Sequence, residues 1–170
     1  ETTCIEKWFV MVTKDRVALW QGELTIPTYE REPAENLPMF YELRNYQNTK
    51  GDIYPLAATE KIRNEKTPHT YQAVSLENQY VKTTVLPELG GRVYEGLDKT
   101  DGYDFVYKNR VIKPALIGLC GPWVSGGIEF NWPQHHRPTT YLPVSSQVEE
   151  NPDGSKTVWM GEIEPKDGTK

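Results

Sequence analysis

The 170-residue chain lacks several features, and each absence argues against a class of protein. No apolar run approaches the ~18 residues that a membrane-spanning helix needs. The formal net charge is −5 and no basic cluster stands out, so a nucleic-acid-binding role is not expected. No segment has the periodicity of a long amphipathic helix, and no internal repeat is visible.

Cysteine is also scarce, since Cys4 and Cys120 are the only two. Neither lies in a spacing typical of a metal or redox site, which favours two unrelated thiols in a reducing compartment. The opening residues 1–8 lack the charged-then-apolar layout of a signal peptide. We therefore expect a cytoplasmic protein without metal or cofactor, and with neither nucleic acid nor membrane as a partner.

What the sequence does have is period-two alternation of apolar and polar residues. Strands are predicted at residues 71–76, 80–86, 91–97, 103–107, 144–149 and 156–163. Turn-forming residues separate them in pairs, at 77–79, 98–102 and 151–154. The only helical turns expected lie in residues 60–65. Many short strands with few helices predict an all-β fold, an antiparallel β-sandwich.

The predicted organisation is a lead-in over residues 1–16, a sandwich domain over 17–163 and a C-terminal end at 164–170. Within the domain, residues 27–70 hold five prolines and show no clear period. They also carry large apolar side chains, which a flexible linker lacks. We therefore expect an extended, irregular arm packed on the sheets.

The most informative stretch is residues 121–138. These eighteen residues contain two of the three histidines, two of the five tryptophans, a glutamate, an asparagine and an arginine. Imidazole can donate or accept a proton near neutral pH, and amide and guanidinium groups hydrogen-bond to hydroxyls. Indole faces can stack on the apolar side of a pyranose. The mixture predicts a site for a polar, ring-shaped ligand.

The candidate residues follow from this chemistry. If residues 127–132 form a strand, Glu129 lines a groove while the apolar side chains at 128, 130 and 132 join the core. The candidate catalytic residues are His135, His136 and Glu129. The candidate substrate-binding residues are Arg92, Trp123, Asn131, Trp132, Gln134 and Arg137.

Simpler interpretations of these residues remain open. The histidines can be ordinary hydrogen-bonding groups, and the tryptophans can belong to the core. Glu129 can be a buried structural acid paired with Arg137 or Lys113. A metal site formed by Glu129, His135 and His136 has suitable ligand types, but adjacent histidines make the spacing awkward.

Several segments together resemble a known family: residues 86–92, 104–107, 111–116 and 121–138, with 27–29 and 54–55. They are similar to a bacterial domain of unassigned function that precedes tetratricopeptide repeats in its parent proteins. That domain is similar to the galactose-mutarotase-like (aldose 1-epimerase-like) superfamily. The resemblance implies a large antiparallel sugar-binding β-sandwich, of which we expect this chain to be the N-terminal part.

Residues 125–134 also resemble the Gly-Gly-Ile…Phe-Pro-Gln run of hexose-6-phosphate epimerases. Those enzymes take their catalytic histidine from a later His-Gly motif, which this chain lacks. They take a glutamate base from the C-terminal part of the sandwich.

The resemblance implies chemistry at the anomeric centre of a sugar, with His135 or His136 as the acid and a carboxylate as the base. A glycosidase would instead need two carboxylates: Glu129 as one, and Glu88, Glu95 or a residue outside this fragment as the other. The alternatives are a non-catalytic carbohydrate-binding module, or a scaffold domain that presents adjoining repeats to protein partners. Exposed sheet edges could also pair copies into a homo-oligomer.

Overall fold

The computed structural model describes residues 17–36, 38–40, 53–118, 120–131 and 140–163. Within them the strands are β1 (Ala18–Arg31), β2 (Pro38–Phe40), β3 (Ile53–Ala57), β4 (Ile62–Glu77), β5 (Val81–Leu86), β6 (Arg92–Asp98), β7 (Tyr103–Asp104), β8 (Ala115–Gly118), β9 (Gly121–Trp123), β10 (Ser145–Glu150) and β11 (Lys156–Gly161). A 3-10 turn, Pro87–Leu89, lies between β5 and β6.

The predicted turns close hairpins through local side-chain hydrogen bonds. Between β4 and β5, Asn78 Oδ1 accepts from the backbone N–H groups of Tyr80 and Val81. Asp98 Oδ1 accepts from Thr100 N in the turn that leads to β7. Between β10 and β11, Asp153 Oδ1 accepts from Ser155 N at 2.9 Å, and the backbone Gly154 N donates to Asn151 O. Short acceptor side chains therefore fix these turns, as the sequence predicted.

The longest pairing joins β1 to β4, from Ala18 opposite Glu77 to Tyr29 opposite Lys66 and, after a register shift, Arg31 opposite Ile62. Pro27 lies opposite Pro68, where neither residue can donate to the ladder. The Pro27 carbonyl instead accepts from Ile112 N at 2.9 Å. This is a position where backbone groups point away from the partner strand, so the proline pair interrupts nothing.

This pairing changes two expectations. Residues 62–65 belong to β4, so the helical turns expected over 60–65 do not form. The predicted arm is extended, but it is regular at both ends, where residues 27–31 and 62–70 lie in β1 and β4. The prolines hid this regularity, because they break the side-chain pattern without breaking the ladder. Residues 41–52 of the arm lie outside the described part of the chain.

The strands form a five-stranded sheet in the order β1-β4-β5-β6-β7 and three two-stranded sheets, β2-β3, β8-β9 and β10-β11. All the paired strands are antiparallel, and an isolated parallel bridge joins Thr28 to Ile112. The core combines residues of β1, β4, β5, β6 and the loops: Ile26, Tyr71, Ala73, Leu86, Leu89, Tyr94, Ile112 and Val124. The fold is all-β and sandwich-like, which confirms the predicted class.

Candidate functional site

The segment that follows Trp123 leaves the core through a double-glycine turn. Gly126 and Gly127 both have positive φ, 82° and 70°. Gly127 N donates to Tyr107 O at 2.7 Å, and the Asn109 side chain donates to Ser125 O at 2.6 Å. A Cβ at Gly127 would stand 2.6 Å from the Val93 carbonyl oxygen, so this close approach requires glycine.

The turn sets the register of the next residues against β6. Ile128 and Val93 exchange two backbone hydrogen bonds, of 2.9 and 3.2 Å. In an antiparallel pair, residues that lie opposite each other point their side chains to the same face. Because Ile128 lies opposite Val93, the next residue, Glu129, lies opposite Arg92. The register therefore brings Glu129 to Arg92.

Arg92 and Glu129 form a buried ion pair. Arg92 Nη2 donates to Glu129 Oε2 at 2.9 Å, and Arg92 Nη1 donates to the Gly126 carbonyl. The two side chains are 3% and 12% exposed. Burial lowers the pKa of the Arg92 guanidinium, while the charge and hydrogen bond of Glu129 oppose that shift. Arg92 thus fixes both ends of the short segment 126–129.

This arrangement reverses the predicted faces of residues 128–130. Ile128 and Phe130 are 45% and 47% exposed, although we expected both in the core. Glu129, expected to line an open groove, points inward. A bulge explains the reversal: the β5–β6 register shifts between Thr84 and Val85, which turns Arg92 toward the core side. The guanidinium then needs a carboxylate partner, and Glu129 supplies it.

The other predicted site residues divide into two groups. Trp123 ends β9, where it is partly buried opposite Ala115, and Asn131 is exposed. Trp132, Gln134, His135, His136 and Arg137 lie outside the described residues. The structure therefore brings together Arg92 and Glu129 of the predicted set. It also changes the interpretation of Arg92, which binds Glu129 instead of presenting a free guanidinium.

The remaining charged candidates are engaged elsewhere. Glu95 receives hydrogen bonds from Thr84 and Lys108, and Lys82 lies 3.2 Å away. Burial alone would raise the pKa of Glu95, but the hydrogen bond and charge of Lys108, together with Lys82, lower it. Lys113, considered as a partner for Glu129, stands over the Tyr29 ring instead.

A second polar cluster was missed at the sequence level. His69 Nδ1 lies 2.7 Å from Glu30 Oε1, and His69 Nε2 lies 3.9 Å from Glu88 Oε2. The imidazole stacks at a tilt on Tyr71, with ring centroids 4.3 Å apart. Glu30 and His69 are 39 residues apart in sequence, and only the β1–β4 register brings them together. No local motif could have revealed this cluster.

In the described part of the chain, no three His, Cys, Asp or Glu side chains are arranged to hold a metal ion. The same residues include no helix that is long and apolar enough to span a bilayer. Cys120 is buried, and its Sγ donates to the Leu56 carbonyl oxygen at 3.5 Å.

The fold is similar to a solved structure. It matches a TPR-domain-containing protein from Parabacteroides distasonis with a TM-score of 0.78 and 29% sequence identity. The match covers 93% of this chain and 26% of that protein, so the chain spans about a quarter of its length. Residues 48–170 match the profile of a family described as a domain of unknown function, DUF5107. The chain belongs to this DUF5107 family.

Proposed function

We propose that this domain binds a saccharide at the segment that runs from Gly126 to Arg137. The observation that carries the proposal is the buried anchoring of its first residues, 126–129, by Arg92, through the Gly126 carbonyl and the Glu129 carboxylate. A fixed backbone presents ligand-binding side chains at little entropic cost. The anchor holds the exposed Asn131 at the start of the stretch that contains the indole, amide, imidazole and guanidinium groups.

Calorimetric titration with a panel of neutral and phosphorylated sugars tests this proposal. The parent protein should bind at least one sugar, and Asn131→Ala should weaken that binding about tenfold through the loss of its hydrogen bonds. Gln147→Ala removes an exposed amide from β10 and serves as the matched control. Equal affinities for the parent and the Asn131 variant would place binding elsewhere, and no binding to any sugar would refute the proposal.

A second candidate function is chemistry at the anomeric centre. The arrangement that favours it is the Glu30–His69–Glu88 cluster, in which a carboxylate orients an imidazole beside another carboxylate. A base would take the proton of the anomeric hydroxyl while an acid protonates the ring oxygen. The C1–O5 bond then breaks, and the open-chain carbonyl recloses on its other face. His69, His135 and His136 are the candidate acids, and Glu129 acts as an anchor in this scheme.

Exchange between the α and β anomers, measured by NMR, separates catalysis from binding. If this chemistry occurs, a His→Gln substitution at position 69, 135 or 136 should abolish exchange while sugar binding and thermal stability persist. Exchange that survives in all three single variants would show that no histidine is the acid. Binding without exchange in the parent protein would identify a non-catalytic carbohydrate-binding module.

A scaffold role beside tetratricopeptide repeats is the alternative that the Parabacteroides distasonis structure supports, because that protein contains a TPR domain. Under this alternative the domain binds no saccharide, and the calorimetric panel distinguishes the two. A cytoplasmic location likewise remains a proposal, supported by the low cysteine content.

A further inference from the structure

A column of exposed aromatic and apolar side chains follows the outer edge of β6. The strand pairing shows which side chains belong to this column, because each member can be traced through β6 to a residue of β5. Tyr103 pairs with Asp98, which pairs with Val81. Phe105 N bonds to Gly96 O, and Gly96 pairs with Thr83. Ile128 bridges Val93, which pairs with Val85. Residues 81, 83 and 85 alternate along one regular strand and so share a face.

Tyr103, Phe105 and Ile128 therefore project from the same face of the five-stranded sheet. Phe130 continues the column, since it is exposed like Ile128 while Glu129 between them points inward to Arg92. The three steps from Tyr103 to Phe130 correspond to about 20 Å, at ~3.3 Å per strand residue. Tyr107, 74% exposed, flanks the junction where its carbonyl accepts from Gly127 N.

The Phe105 ring packs against the backbone of Gly96. An added Cβ at Gly96 would lie 2.6 Å from Phe105 Cε2 and 2.7 Å from Cζ, so this edge of the ring occupies the space that a side chain at position 96 would take. The side chain remains 49% exposed. A ring with one side packed and the rest open to solvent loses little freedom when a ligand stacks on it.

The surroundings indicate which ligand fits. No member of the column is charged, and Asp98, Asp101 and Asp104 near Tyr103 would repel a polyanion. Exposed polar groups, including Asp104, Ser125 and Asn131, accompany the rings. Rings interleaved with hydrogen-bonding groups match the apolar faces and hydroxyl rims of sugars. A protein partner would instead favour a contiguous apolar centre with few charges.

We propose that this column binds a neutral oligosaccharide along its length, as an extension of the saccharide site that begins at Gly126. The inference rests on the proposed saccharide-binding function and adds the substrate class: a chain of several sugar rings instead of a monosaccharide. Continuity supports it, because Ile128 and Phe130 belong to the same anchored segment as Glu129 and Asn131.

The test is calorimetry with malto- and cello-oligosaccharides of one to six units. Affinity should rise with chain length up to roughly the number of units that fills ~20 Å, and then level off. Phe105→Ala and Tyr103→Ala should each lower affinity for the longest ligand about tenfold, and should leave monosaccharide binding unchanged. Phe105→Tyr, which keeps the ring, should retain the affinity. Trp159→Ala removes a similarly exposed ring from β11 and is the control.

The outcomes separate this inference from the proposed function. If sugars bind but affinity does not depend on chain length or on Phe105 and Tyr103, the column is not the subsite and the inference fails alone. If the column variants lose long-chain binding while Asn131→Ala changes nothing, the inference stands and the proposed site at Asn131 fails. If no sugar of any length binds, both are refuted, and the column is left to a protein partner.

Discussion

Arg92 and Glu129 show what a single buried contact contributes to this domain. The pair joins β6 to the double-glycine turn at Gly126 and Gly127, and both side chains are largely removed from water. Removing one member of a buried pair leaves an uncompensated charge, which costs far more than the pair itself contributes. The pair is therefore an anchor whose loss should release the proposed binding segment.

Glu129→Ala should lower the free energy of unfolding by about 3–5 kcal/mol, because it strands the Arg92 guanidinium. The double variant Arg92→Met/Glu129→Leu should be markedly more stable than Glu129→Ala, because no buried charge remains. Urea denaturation of the parent, Arg92→Met, Glu129→Leu and the double variant forms a double-mutant cycle, and Glu129→Ala is measured beside them. A cost below about 1 kcal/mol for Glu129→Ala would show that the pair is not buried in solution.

Glu95 should control part of the acid stability. Its folded pKa lies below its unfolded value, so its contribution is fully present above the unfolded pKa of ~4.3 and is lost as the pH falls through the folded pKa. Glu95→Gln should cost about 1–2 kcal/mol at pH 7. That difference from the parent should shrink below pH 4, as followed by urea midpoints between pH 3 and pH 7. A difference that is independent of pH would contradict the charge-based account.

Tyr71 should control part of the alkaline stability. Burial raises its pKa to about 12, against a hydrogen bond with Thr28 that acts in the opposite direction. A raised folded pKa gives stability that is complete below the unfolded pKa of ~10 and is lost as the pH rises toward 12. In the Tyr71→Phe variant, the loss of stability with rising pH should be less steep over this range. Tyr94, whose pKa burial also raises to about 12, still contributes to that loss. Tyr103→Phe, at an exposed position, should keep the parental slope.

At the level of single residues, the sequence drew attention to residues 121–138 but did not reveal their geometry. A salt-bridged role for Glu129 was considered, and among the described residues it pairs with Arg92, which was not considered for that role. The partner depends on a bulge in a different hairpin. Side-chain alternation within this segment carries no information about that bulge. The exposed and buried sides of residues 128–130 were therefore predicted the wrong way round.

At the scale of elements, hairpins were the predictable part of the fold. The hydrogen bonds that stabilise these turns join residues within the turn itself, at Asn78, Asp98 and Asn151. The pairs β4–β5, β6–β7 and β10–β11 could therefore be predicted from the sequence. The β1–β4 pairing could not, because its partners lie far apart in the chain and prolines at 27 and 68 interrupt the pattern. The His69 cluster depends on that long-range pairing.

The double-glycine turn gives a test at this scale. Gly127→Ala adds a Cβ in the left-handed region and 2.6 Å from the Val93 oxygen, whereas Gly154→Ala adds one at φ 87° with nothing within 4 Å. Gly154→Ala should cost about 1–2 kcal/mol from backbone conformation alone. Gly127→Ala should cost at least about 2 kcal/mol more, because Val93 or the turn must move. Equal costs in urea denaturation would mean that the turn does not pack against β6.

On the scale of the whole molecule, composition and strand pattern were sufficient to predict the all-β antiparallel class, because few other folds bury the apolar faces of many short alternating strands. Shared residues placed the chain in a bacterial domain family, in agreement with the DUF5107 match. Neither source identifies a ligand. That step rests on two features that only the folded chain presents, the segment anchored by Arg92 and the column that includes Phe105.

The most direct test of saccharide binding is a two-dimensional amide NMR titration of the intact chain with the sugar and oligosaccharide panel. The account predicts that signals of Gly126, Gly127, Phe130 and Asn131 shift in a saturable manner, and that those of the β10–β11 hairpin do not. A spectrum that no saccharide perturbs at millimolar concentration, or shifts confined to the β10–β11 hairpin, would contradict it.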